Sequence, residues 1–243
     1  MIKKLLYAMM ASMHRGRGLN QLRSLEGKLV SPQARFAVPF VYKGKGFFKS
    51  IEPRQNPVEI EKLYHAVREI APMRVLEIGT ARGGTLYLWT QVAADDATIV
   101  SVDLPGGEFG GAYPDCRIPF YQAFAMQSQD LHLLRKDSHK PQTIEDVCDL
   151  FDHHPIDFAF IDGDHTYEGA KADFRNYGSL VRPGGIIAFH DILPRPDLPE
   201  IQVDRFWSEV REKYDTRELI GPEGSGRKIG IGLIRVGQSE ISD

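Results

Sequence analysis

From Arg74 onward the chain alternates short aliphatic runs with helical stretches, and this alternation limits the fold more than any other feature. The runs are "RVLEIGT" (74–80), "TIVSVDL" (98–104), "LHLLRKD" (131–137), "DFAFIDG" (157–163) and "GGIIAFHDI" (184–192). Helical stretches lie between them at 83–93, 143–151 and 167–181. A further helix at 203–213 precedes "KIGIGLIRV" (228–236). Strands that read as near-continuous apolar runs, each followed by a helix, are buried on both faces of a parallel sheet. The expected fold is therefore α/β, a doubly wound and mostly parallel sheet.

The ordered body begins at Asn56. Asn56 can cap a helix, Pro57 suits its first position, and Glu59 sits where a capping box places its acid. Ile60, Leu63, Tyr64, Val67 and Ile70 follow at helical spacing, and Pro72 stops the helix. This divides the chain into an extension, 1–55, and a main domain, 56–243. The extension is strongly basic. Residues 1–54 hold 11 Lys/Arg against 2 Asp/Glu, while the remainder holds 19 against 31. Such a segment can serve as a lid or dimer arm, docking on the acidic remainder of its own chain or of a twin subunit in a homo-oligomer. It can also contact an anionic surface. No nucleic-acid motif accompanies it, so no nucleic-acid partner is expected.

The apolar stretch from Leu5 to Met13 is too short to span a bilayer and reads as a short amphipathic helix. Cys116 and Cys148 make no disulfide framework and read as reduced thiols in a cytoplasmic protein.

In an open α/β sheet, ligands gather at the carboxyl ends of the strands. The first strand ends in "LEIGTARGG", offering Glu77, Gly79, Thr80, Gly83 and Gly84. Glycines there let the backbone turn and approach a ligand closely. The second strand ends in Asp103, at the distance where an acid accepts from ribose hydroxyls. Together they indicate a nucleoside-bearing cofactor. The G-x-G-x-x-G of dinucleotide folds is absent at this turn. The Gly-rich loop 105–120 is long enough to be a binding loop.

The fourth and fifth strands end in a cluster of titratable groups. Asp162, Asp164 and His165 follow one, and His190 and Asp191 end the other. Both ends open on the same sheet edge, so these groups can converge. Carboxylates in such a set suit Mg²⁺ or Mn²⁺. A neighbouring histidine can take a hydroxyl proton near neutral pH. Asp164 reads equally as a cap for the helix at 167, and Glu168 and Asp173 read as that helix's solvated face.

The combination "VLEIGTARGGT", "IVSVDL", "FIDGDHTYEGAKADF" and "LVRPGGIIAFHDI" resembles the class I S-adenosylmethionine-dependent methyltransferases over about residues 56–236. Within that class it is similar to the macrocin-type sugar O-methyltransferases and cephalosporin-hydroxylase-like proteins. The resemblance implies a Rossmann-like sheet of about seven strands with the last antiparallel. It implies that Gly79 and its neighbours meet the methionine moiety of S-adenosyl-L-methionine, that Asp103 holds the ribose, and that Asp137 and Ser138 lie beside the adenine. It implies metal ligands at Asp162 and Asp191 and a catalytic base at His165. His190 departs from the pattern, standing where an acid or amide is usual, and joins the candidate ligands. The implied activity is methyl transfer to a hydroxyl of a small molecule, a sugar or glycosylated metabolite. Two alternatives stand beside it: a hydroxylase using a non-haem metal held by His165, His190 and Asp162, and a non-catalytic binding protein.

Overall fold

The structure is a computed structural model that describes residues 2–106, 113–126, 128–224 and 228–237. Seven strands form one sheet: β1 (Arg74–Ile78), β2 (Thr98–Val102), β3 (Asp130–Leu134), β4 (Ile156–Ile161), β5 (Val181–His190), β6 (Thr216–Leu219) and β7 (Ile231–Arg235). Their spatial order is β3-β2-β1-β4-β5-β7-β6. β1 to β5 are parallel, and β7 runs antiparallel to both β5 and β6. The doubly wound sheet and its antiparallel last strand are as the sequence led us to expect. β6 was not foreseen. Its "TREL" is mostly exposed at the sheet edge, so it has no apolar run to betray it.

The helices are α1 (Ile2–Lys28), α2 (Pro32–Phe36), α3 (Val38–Val41), α4 (Pro57–Ile70), α5 (Gly84–Val92), α6 (Ile118–Gln122), α7 (Pro141–Leu150), α8 (Tyr167–Tyr177) and α9 (Val203–Lys213). They cover the sheet on both faces and divide its core in two. One cluster packs α4 and α5 with the segment before residue 55, burying Trp89, Tyr87, Tyr64, Phe48 and Phe120. The other packs α8 and α9 on the opposite face around Phe174, Tyr177, Phe189 and Trp207. β1 and β4 lie between these layers, which is why their residues read as unbroken apolar runs.

The N-terminal helix is long, not the short element expected: α1 runs through Gly16, Gly18 and Gly27 to Lys28. Ala11, Gly18 and Leu22 face inward at helical spacing. A methyl group at Gly18 would stand 2.5 Å from the Tyr42 hydroxyl, so the glycine that weakens the helix admits its packing partner. In the expected loop 105–120, residues 115–122 are helical and bury Phe120 and Tyr121. Residues 107–112 of that loop lie outside the described residues.

α4 starts as its sequence dictates, with Asn56 Oδ1 accepting from Val58 N at 2.9 Å. Glu59 stands at the capping-box position. Fully buried, it accepts from Gly221 N and Gly230 N, each at 2.9 Å. It thereby ties the turns flanking β6 and β7 to the first helix of the body. Removing the acid leaves two buried N–H groups without a partner, at about 1–3 kcal/mol each. Glu59→Ala should lower the urea midpoint accordingly, and Glu59→Gln, which keeps one accepting oxygen, should lower it less. A Glu59→Ala midpoint equal to wild type would contradict this role.

Candidate active site

The strand order reverses between β1 and β4, the switch point at which open α/β sheets bind ligands. Here the two strand ends nearly touch. Gly79 adopts φ +101°, and a methyl group on it would stand 2.0 Å from the carbonyl oxygen of Asp162. Only glycine permits both this backbone and this approach. Above the contact opens a cavity of about 850 Å³. Of the residues expected at a cofactor, Gly79, Thr80, Gly84, Asp103, Asp137, Ser138 and Asp162 all line it. Asp103 is almost wholly buried and accepts from Ala81 N at 2.6 Å, which fixes the glycine loop against the end of β2.

Two expected cofactor residues lie elsewhere. Gly83 adopts φ +79° at the start of α5, where a methyl group would stand 2.6 Å from the Tyr121 ring. Its glycine serves the turn and the packing of Tyr121. Glu77 is fully buried beneath the loop. It accepts from Trp89 Nε1 at 3.1 Å and from Ser101 Oγ at 2.6 Å, and Ser101 lies 2.6 Å from Thr80 Oγ1. Glu77 thus positions the loop from below and does not reach the cavity. Alternation explains this: Ile78 and Gly79 carry the chain past the point where Glu77 points into the helix layer.

At the far end of the cavity, β4 and β5 bring Asp162, His165, His190 and Asp191 together as the sequence implied. His190 Nδ1 stands 3.0 Å from Asp162 Oδ1 and 3.1 Å from Asp191 Oδ2. His165 Nδ1 stands 3.1 Å from Asp191 Oδ2 and 4.0 Å from Asp162 Oδ1. Burial disfavours a charge on His190, but the flanking carboxylates outweigh it and lift the imidazole to about 10. His165 behaves alike: burial opposes its charge, and the bond to Asp191 with the nearby Asp162 raises it. Burial alone would raise Asp191, yet the two histidines hold it well below the usual carboxylate range.

The donors that converge as one ligand set belong to Asp162, His165 and Asp191, all within 4.8 Å of one another. His190 was expected among the ligands. Its Nδ1 sits instead between the two carboxylates, while its buried Nε2 has no hydrogen-bond partner among the described residues. Asp164 resolves as a turn former, accepting from Thr166 N at 2.9 Å, and Thr166 is the cap of α8. On that helix Glu168 is exposed as expected, but Asp173 is fully buried beside His139 Nε2 at 3.3 Å. Burial raises the Asp173 carboxyl.

Two other members of the cluster were not foreseen. Gln55 Nε2 donates to Asp162 Oδ2 at 2.6 Å, and Arg195 Nη1 donates to Asp191 Oδ1 at 3.0 Å. Arg195 stands four residues beyond Asp191 in an irregular stretch. Gln55 ends the basic extension. Neither position carries a periodic signal.

A parallel sheet with this switch point and this loop defines the class I methyltransferase fold. The crystal structure of the O-methyltransferase from Bacillus cereus in complex with SAH shares it, with a TM-score of 0.54 and 17% identity over 72% of this chain and 79% of that one. The O-methyltransferase TomG from Streptomyces achromogenes, in complex with SAM, gives 0.50 and 18% over 72% and 78%. MycE, from the mycinamycin biosynthetic pathway and in complex with Mg, SAH and mycinamycin VI, gives 0.50 and 14% over 92% of this chain and 56% of that one. At these identities the likeness is one of fold. Residues 76–192 match a family model described as a methyltransferase domain, and the sheet has the Rossmann-like fold of the class I methyltransferases. The protein y4gI of Sinorhizobium fredii is 30% identical over 155 residues, 61% of this chain, and the chain spans only 16% of that relative's length. No helix among the described residues is long and apolar enough to cross a membrane.

Burial pushes Glu77 up to about 8. In an unfolded chain the same acid releases its proton near ~4.3. Between those values the folded state holds a proton that the unfolded state has lost, so stability falls as pH rises. Unfolding of wild type and Glu77→Gln across about pH 5 to 8 should therefore show a flatter slope in the variant. Parallel slopes would contradict a neutral buried Glu77.

Proposed function

We propose that the chain is an O-methyltransferase that uses S-adenosyl-L-methionine and acts on a hydroxyl of a small molecule, a sugar or glycosylated metabolite. The observation that carries this reading is the meeting, in one cavity, of a glycine loop with Asp103 and a histidine–carboxylate cluster. The cavity fits the cofactor: Gly79 leaves its backbone bare, Asp103 offers an acceptor for ribose, and Asp137 and Ser138 line the far side. S-adenosylmethionine supplies an electrophilic methyl group when bound. The chain must then align an acceptor oxygen with that carbon and remove its proton.

His165 is the group we assign as base. Asp191 holds its Nδ1, and Arg195 in turn fixes the other oxygen of Asp191. An imidazole oriented by a carboxylate leaves its second nitrogen directed to a substrate proton. Asp162 is held from two sides by Gln55 and His190, so its carboxylate has one orientation. The chemistry of the donor set fits a divalent cation: two carboxylates and an imidazole converge within 4.8 Å. Mg²⁺ or Mn²⁺ would be held by Asp162 and Asp191, with His165 beside them, and would supply a Lewis acid that acidifies the acceptor hydroxyl. The magnesium in the MycE complex supports this reading. His190 is then a positioning residue that keeps two like charges together. Residues 1–55 contribute a wall of the acceptor site through Glu52 to Gln55, which is the role we propose for the end of that extension.

Transfer from labelled S-adenosylmethionine to a panel of hydroxylated sugars and glycosides tests the proposal. Wild type should turn over at least one acceptor bearing vicinal hydroxyls. His165→Ala should lower kcat by roughly 10²–10⁴-fold while leaving affinity for S-adenosylhomocysteine unchanged. Chelation should abolish turnover, and Mg²⁺ or Mn²⁺ should restore it. Full activity in His165→Ala would refute the assigned base. Turnover indifferent to chelator would refute the metal.

A further inference from the structure

A second, smaller cavity of about 430 Å³ adjoins the first. Arg54, Ala81 and Arg82 line both spaces. The lining of the smaller one is basic: Lys49, Arg54, Arg82 and Arg117 face it, and no acidic residue does among the described residues. Three of these cations are exposed side chains without a carboxylate partner among the described residues.

Arg117 differs, since it is nearly buried. Its guanidinium donates to the carbonyls of Phe47 at 2.5 Å, Arg82 at 3.3 Å and Ser50 at 3.3 Å, and to the Tyr121 hydroxyl at 2.5 Å. No carboxylate neutralises it among the described residues. A buried charge held only by dipoles leaves a positive potential that draws an anion. Tyr113 lines the same space, is 2% exposed, and its hydroxyl has no hydrogen-bond partner among the described residues. The pocket therefore offers four cations and a spare donor.

We propose that this pocket is a subsite for a phosphoryl group. A single carboxylate would be matched by one guanidinium. Four cations suit a doubly charged group with several accepting oxygens, which Arg recognises through its fork and Lys as a point charge. Two sources share this chemistry. A soluble phosphorylated ligand would place its phosphoryl group here and extend past Arg54 and Arg82 into the main cavity. A lipid headgroup would do so with its chains beside the apolar rim, where Phe47 lines the pocket and its ring stands 5.3 Å from that of Tyr7, both being exposed. The subsite stands whether or not the main cavity transfers a methyl group.

Inorganic pyrophosphate titrated calorimetrically into the full chain, without divalent metal and at low salt, is the direct probe. Saturable binding is expected. It should weaken roughly tenfold or more in Lys49→Glu, which loses a charge-assisted contact, and roughly three- to tenfold in Tyr113→Phe, which loses one hydroxyl. Lys49 is exposed and absent from the main cavity, so its replacement leaves folding intact. Co-sedimentation with phosphatidylglycerol vesicles, absent with phosphatidylcholine and lost in Lys49→Glu, would assign the site to a lipid headgroup. Pyrophosphate binding without such co-sedimentation would assign it to a soluble ligand. The proposal is overturned if wild type binds neither probe, or if both variants bind as wild type does. S-adenosylhomocysteine titrated into the same samples reports the main cavity separately, so a failure there leaves this test standing.

Discussion

Everything at the sheet edge depends on one approach of backbone to backbone. The turn after β1 passes the end of β4 so closely that Gly79 could carry no side chain beside the Asp162 carbonyl. That contact sets the glycine loop, where a cofactor would lie, directly against the carboxylate that begins the chemical cluster. Glu77 supports it from below through Trp89 and Ser101, and Asp103 from the side through Ala81 N. The loop is thus held on three sides before any ligand arrives, and preorganisation of this kind lowers the cost of binding.

The cluster beyond Asp162 is a chain of alternating charge. Asp162, His190, Asp191 and Arg195 follow one another with opposite charges in contact, Gln55 donates to Asp162, and His165 also stands against Asp191. The half-buried Asp162 and the buried Asp191, 3.0 and 3.1 Å from one imidazole, would repel each other without it. The arrangement keeps His165 oriented while leaving Asp162 and Asp191 able to share a cation. It also joins the extension to the cluster at the strand ends. Gln55 reaches the cluster only because the segment before it is packed into the core through Tyr42, Phe48 and Ile51.

The sheet was legible because its strands are buried on both faces, and burial on both faces writes itself as unbroken aliphatic runs. Asp103, Asp162, His165 and Asp191 were legible because they terminate those runs. Polar residues that serve packing were not. Glu59 matched a capping box, Glu77 a cofactor contact and Asp173 a solvated face, yet each is buried against a partner from a distant segment or a neighbouring layer. Local spacing identifies a cap or a face; it is silent about which other element arrives to cover it. The same holds for Gln55 and Arg195, which come from irregular chain, and for α1, where Gly18 is the glycine that admits the Tyr42 hydroxyl.

The central claim is that the cavity over Gly79 and Asp103 holds S-adenosylmethionine with its methyl end toward Asp162 and His165. A structure of the chain soaked with S-adenosylhomocysteine and Mn²⁺ tests it most directly. The account predicts the ribose hydroxyls on Asp103, the adenine beside Asp137 and Ser138, and the sulfur facing the Asp162 cluster with anomalous density between Asp162 and Asp191. A cofactor bound elsewhere, or a cavity still without one at saturating concentration, would contradict it.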